Sequence, residues 1–138
     1  MDKALNYLAL AKRGRLVELG EEPVGAITRT GKGYLVVVAK DASDHTWRRA
    51  KSFVAGTEQQ CLKVPFTKEE LGFVVGRTSL AIAAFTDAAL ALAFAKALPD
   101  QEKAKSVVEA LDEKAKKLKQ RQDEAKAHQR NVRTGKKK

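Results

Sequence analysis

Apolar residues Leu5, Leu8, Ala9 and Ala11 recur at helical spacing after Asp2, which predicts a helix to Arg13 with Gly14 as a left-handed stop. Leu16–Leu19 is a short apolar piece ended by Gly20. Glu21, Glu22 and Pro23 then supply the acids and the proline that suit a first helical turn, predicting a second helix to about Thr30. The continuous run Tyr34–Ala39 reads as a strand covered on both faces. Ser43 or Asp44 caps a third helix that carries Trp47, Ala50, Phe53 and Val54 on one side. Gln60–Val64 is a second strand stopped by Pro65, and Thr67 with Glu70 reads as a capping box for a short helix. Leu80–Phe85 is a third buried strand, after which Asp87 caps an alanine-rich helix to Leu98 that is apolar almost all round. Helical segments alternating with buried strands predict a three-layer α/β/α sandwich.

After Pro99 the pattern thins. Ala104, Val107, Leu111, Ala115 and Leu118 form one narrow stripe at spacings of three and four, the mark of an amphipathic helix that cannot build a core alone. The chain thus divides into a sandwich domain at 1–98, a C-terminal helix at 99–127 and a basic tail at 128–138 that is expected to be disordered. The stripe either docks on the apolar helix before it or pairs with a second chain, so the oligomeric state stays open.

Charge narrows the partners. The chain carries 27 Lys and Arg against 17 Asp and Glu, a net charge of +10 over 138 residues, which favours a polyanion. Residues 99–138 hold 13 of those cations and 7 of the acids. The longest apolar stretch, Leu80–Ala95, is broken by Thr86 and Asp87 and is too short to span a bilayer, so no membrane association is expected. The acidic start and later cations reverse the order of a secretory signal, which points to the cytoplasm. Cys61 is the single cysteine and reads as a small core residue.

A series of segments resembles a known family: Leu8–Val17, Gly20-Glu21-Glu22, Gly31-Lys32, Leu35–Ser43, Val64-Pro65, Glu70-Leu71-Gly72 and Val75-Gly76. In this order, over roughly residues 3–98, they are similar to the superfamily of ribosomal proteins L-seven-Ae and L-thirty-e, and most of all to its small bacterial, ribosomal-protein-like members. The resemblance implies a four-stranded mixed sheet inside the sandwich and binding to kink-turn or kink-loop RNA. It implies that Gly20, Glu21 and Glu22 open a helix against the sheared G·A pairs, and that Arg77, Thr78, Ser79 and Leu80 cover an extruded nucleotide. The pattern departs at Glu22, Pro23 and Ala26, where kink-turn binders carry Asn or Lys, Glu or Gln, and Lys. Ala26 cannot hold a phosphate, so backbone contacts fall to Lys12, Arg13, Arg15, Arg29 and Lys32. The expected partner is structured RNA, ribosomal RNA foremost, with the ribosome itself as a further candidate.

Enzymatic readings have little to stand on. Asp41 and Asp87 follow strands, where a magnesium or phosphoryl-transfer site can be imagined, yet both precede helices and N-capping explains them. No glycine-rich phosphate loop or paired nucleophile and base accompanies them, and His45 and His128 lie far apart, so neither catalysis, cofactor nor metal is expected. The alternative is a protein-binding adaptor that uses an exposed 104–118 stripe. The tail yields a direct expectation: deleting Arg130–Lys138 shallows the slope of log RNA affinity against log salt, measured by titration, whereas an unchanged slope shows that the tail touches no phosphate.

Overall fold

The computed structural model describes the backbone of residues 2–133 and the side chains of 2–127. Its elements are α1 (Lys3–Arg13), β1 (Val17–Leu19), α2 (Glu21–Arg29), β2 (Leu35–Val38), α3 (Asp44–Val54), β3 (Gln60–Lys63), α4 (Lys68–Val74), β4 (Ile82–Phe85), α5 (Ala88–Lys96) and α6 (Gln101–Arg133). The strands form one mixed sheet in the order β1-β4-β2-β3, with β4 antiparallel to β1 and β2, and β2 parallel to β3. The fourth strand is β1, the apolar piece at Leu16–Leu19, which is too short to show a period of two.

Every residue of β2 and β4 is buried, as expected of strands covered on both faces. Alternate side chains enter two separate cores. Leu35, Val37, Ala83 and Phe85 meet α1, α4, α5 and α6 on one face, while Val36, Val38, Ile82 and Ala84 meet Val24 of α2 and Ala50 of α3 on the other. Phe85 and Phe94 pack with ring centroids 4.9 Å apart in the first core. Cys61 is half-buried at the margin of the second core.

Capping follows the chemistry of the sequence, with two changes. Asp2, Ser43 and Asp87 cap α1, α3 and α5, and Thr67 with Glu70 closes the capping box of α4. Asp41 serves α4 and not the helix next to it: its Oδ1 accepts from the Lys68 N–H at 2.8 Å. The left-handed residue after α1 is Arg15, at φ 58°, whereas Gly14 sits at φ −85°. The turn closes by Leu16 N–H bonding Ala11 O at 2.8 Å, which places the reversal one residue later than Gly14.

The C-terminal stripe docks within the chain. Ala104, Val107 and Leu111 join the first core, and Ala115 and Leu118 are half-buried. This removes the exposed stripe that an adaptor would need. The helix runs on to Arg133, past the expected end at 127 and into the tail expected to be disordered, of which residues 134–138 lie outside the described residues. No helix among the described residues is long and apolar enough to cross a membrane. Leu111 is 2% exposed, so Leu111→Ala lowers stability by about 2–5 kcal/mol in denaturant unfolding; a loss under about 1 kcal/mol would show that α6 is not integral to the fold.

Candidate nucleic-acid interface

The antiparallel run of β4 decides which expected site residues meet. Gly20 leaves β1 at the sheet end where β4 begins, and its N–H donates to Ile82 O at 3.0 Å. The loop that enters β4, residues 76–81, therefore lies beside the start of α2. A Cβ built on Gly20 would sit 3.7 Å from Arg77 Nη1, so the Arg77 side chain reaches across to the helix start.

Gly20 holds φ 101° and ψ 160°, a conformation open essentially to glycine alone. No side chain caps α2, and Pro23 in its first turn carries no N–H. The amides of Glu21 and Glu22 stand at the positive end of the helix dipole. Glu21 Oε1 accepts from Arg49 Nε at 3.1 Å, and the Arg49 guanidinium lies 5.0 Å from the Phe53 ring centroid. Both partners of this pair are exposed, so it contributes about 0.2–1 kcal/mol. Glu22 is exposed and enters no ion pair among the described residues.

The loop before β4 is fastened to α4. Arg77 N–H donates to Gly72 O at 2.8 Å and Leu80 N–H to Lys68 O at 2.9 Å. A Cβ on Gly72 would come within 2.7 Å of Arg77 O, so only glycine permits this approach. Arg77, Thr78 and Ser79 are exposed. Leu80, expected among the contacting residues, is a correction: it is 3% exposed, because the bond to α4 turns its side chain into the first core.

The five expected backbone cations separate from this end. Lys12, Arg13 and Arg15 precede β1, and Lys32 precedes β2; Val17 and Leu35 both pair with Phe85, the last residue of β4. These four therefore gather around the Gly14 and Gly31 turns, at the opposite end of the sheet from Gly20. Arg29 folds back along α2, its Nη2 3.9 Å from a Cβ built on Gly25. Arg49 is the residue that the sequence reading overlooked. Its spacing of four from Phe53 was visible, but its partnership with Glu21 exists only once α2 and α3 lie side by side. Gly25 permits that packing, since a Cβ there would meet the Phe53 ring at 3.2 Å.

Other chemistry is sparse among the described residues. No group of three His, Cys, Asp or Glu side chains could hold a metal. Burial pushes the Cys61 thiol above its ordinary pKa, with Lys51 offsetting part of the rise, so the thiolate is scarcer than in a free cysteine. A groove of about 650 Å³ between α1 and α4 is lined by Leu5, Phe66, Phe73 and Val74; two of the acids at its rim, Asp2 and Glu70, are engaged in capping.

No protein-family model matches the chain. The RNA-binding protein YlxQ of Enterococcus faecium is 33% identical over 75 residues, which cover 54% of this chain and 72% of that protein. A protein of unknown function from Bacillus halodurans superposes with a TM-score of 0.62 at 22% identity, over 81% of this chain and 99% of its own. The 15.5 kD RNA-binding protein of Giardia lamblia gives 0.60 at 19% identity, over 79% and 87%. At these identities the two solved structures share the fold.

Substituting Gly20→Ala costs about 1–3 kcal/mol in equilibrium unfolding, because the backbone there is closed to a Cβ. An unchanged midpoint would mean that the turn relaxes freely and is not held for a purpose.

Proposed function

Because this chain belongs to the superfamily of ribosomal proteins L-seven-Ae and L-thirty-e, we propose that it is a non-catalytic RNA-binding protein that holds a bent or internally looped RNA at the Gly20 end of its sheet. The observation that carries the reading is the juxtaposition of an uncapped α2 start, opened by a left-handed glycine, with the Arg77 guanidinium 3.7 Å from the Cβ position of that glycine. YlxQ, at 33% identity, is named an RNA-binding protein, which supports the same partner.

The chemistry divides between position and identity. Arg77 and the helix dipole attract a phosphate, and Thr78 and Ser79 add hydroxyl donors; none of these reads a base by itself. Glu22 supplies the reading, since a carboxylate accepts hydrogen bonds from the amino and imino edge of guanine and repels a phosphate placed in the same spot. Such an edge is free in an internal loop or kink and is taken up by base pairing in a regular RNA duplex. Kink-turn or internally looped ribosomal RNA is therefore the favoured class. Arg49, fixed by Glu21 and Phe53, extends the cationic rim along α3.

Arg77→Gln lowers affinity for a looped RNA roughly tenfold near 0.1 M salt, the worth of about one phosphate contact, and shallows the salt slope by about one. Filter binding or anisotropy with a looped RNA and a plain duplex of equal length checks it. Equal, weak affinity for both RNAs, with Arg77→Gln altering neither, would end the proposal.

A further inference from the structure

We infer that the opposite end of the sheet is a second phosphate-binding surface, distinct from the Gly20 end, through which one molecule holds a second RNA segment; this rests on the RNA-binding reading above. Val17 and Leu35 flank Phe85, so the turns that feed β1 and β2 emerge side by side and present Lys12, Arg13, Arg15 and Lys32 together. All four are exposed, and none enters an ion pair among the described residues. Two of the carboxylates at this end are engaged: Glu58 pairs with Lys114 at 3.6 Å, and Asp87 accepts from Leu90 N–H at 2.9 Å; Glu18, beside Val17 in β1, is partly buried. Four exposed cations without an ion-pair partner among the described residues outnumber the acids there, which suits a partner of dense negative charge.

Arg15 supplies an independent observation. It holds φ 58° while exposed, and Gly14 beside it takes an ordinary φ of −85°. The left-handed position therefore bears a long cationic side chain where glycine would fit at less strain, and that side chain gains no burial in return. What the residue offers at this place is its charge.

Helix α6 extends the same end. Ala115, Leu118, Lys119 and Gln122 share a depression with Tyr34, Thr86 and Asp87, and the helix then continues to Arg133. Eleven further residues at about 1.5 Å each carry it beyond the sheet. Lys119, in the depression with Tyr34 and Thr86, thus adds a cation at this end, from which the helix continues as an arm. Contacts from Lys and Arg to phosphate carry no sequence information, so the surface takes duplex phosphates without sequence preference.

The test uses the full chain, a donor-labelled looped hairpin and an acceptor-labelled plain duplex, with energy transfer reporting their capture by one protein. Wild-type protein brings the two together at moderate salt. Arg13→Gln, Arg15→Gly and Lys32→Gln combined reduce duplex capture at least roughly tenfold and shallow its salt slope by about three, while hairpin affinity stays within about twofold. Arg15→Gly alone weakens duplex capture without lowering Tm, which separates loss of charge from loss of fold. The inference is overturned if the triple variant loses hairpin and duplex in parallel, since one continuous surface then serves both, or if duplex capture is unchanged. Failure of wild-type protein to bind the hairpin refutes instead the proposed function.

Discussion

The direction of β4 is the constraint from which the site follows. It runs against β1, β2 and β3, so the chain must enter it at the sheet end where β1 gives way to α2. The loop that carries Arg77 is thereby delivered to Gly20, over 50 residues away in sequence, with a backbone bond from Gly20 to Ile82 fixing the approach. Reversing that one strand would put Arg77 beside Lys12 and leave the start of α2 without a cation. Burial of both faces of β2 and β4 makes the arrangement stiff, because a slip in register would move residues between two separate cores.

Glycine pays for the closeness of the parts. Gly72 lets the 77–79 loop lie on α4, Gly25 lets Phe53 approach α2, and Gly20 turns the chain from sheet to helix with its amides outward. Each replaces a side chain that could have packed. The core recovers the loss elsewhere, in the Phe85 and Phe94 stack and in the stripe of α6, which completes the covering of α5. An appendage by composition, α6 is thus structural over its first three turns and an arm over its last.

Much of the fold was legible in the sequence, because β2, β4 and the capped helices are written in local patterns: a continuous apolar run, Thr67 with Glu70, Asp87 ahead of alanines. The three-residue β1 was not, since its pairing with β4 is a long-range fact. The candidate site was legible in part. Gly20 and Arg77 were found through the resemblance, and the fold brings them together, but Leu80 turned inward because its own N–H is bonded to Lys68 O of α4. The cations at Lys12, Arg13, Arg15 and Lys32 were legible as candidates for backbone contacts, but the length of β1 and α2 that sets them at the end opposite Gly20 was not. Arg49 was missed for the same reason in reverse, as its partner Glu21 is 28 residues away.

The most direct measurement of the account is a backbone amide NMR titration of the full chain with a looped RNA. The account predicts that the largest shift changes fall on Gly20, Glu21 and Glu22 together with Arg77, Thr78 and Ser79, two segments that only the fold brings together. Changes confined to the groove between α1 and α4, with those amides unmoved, would contradict it.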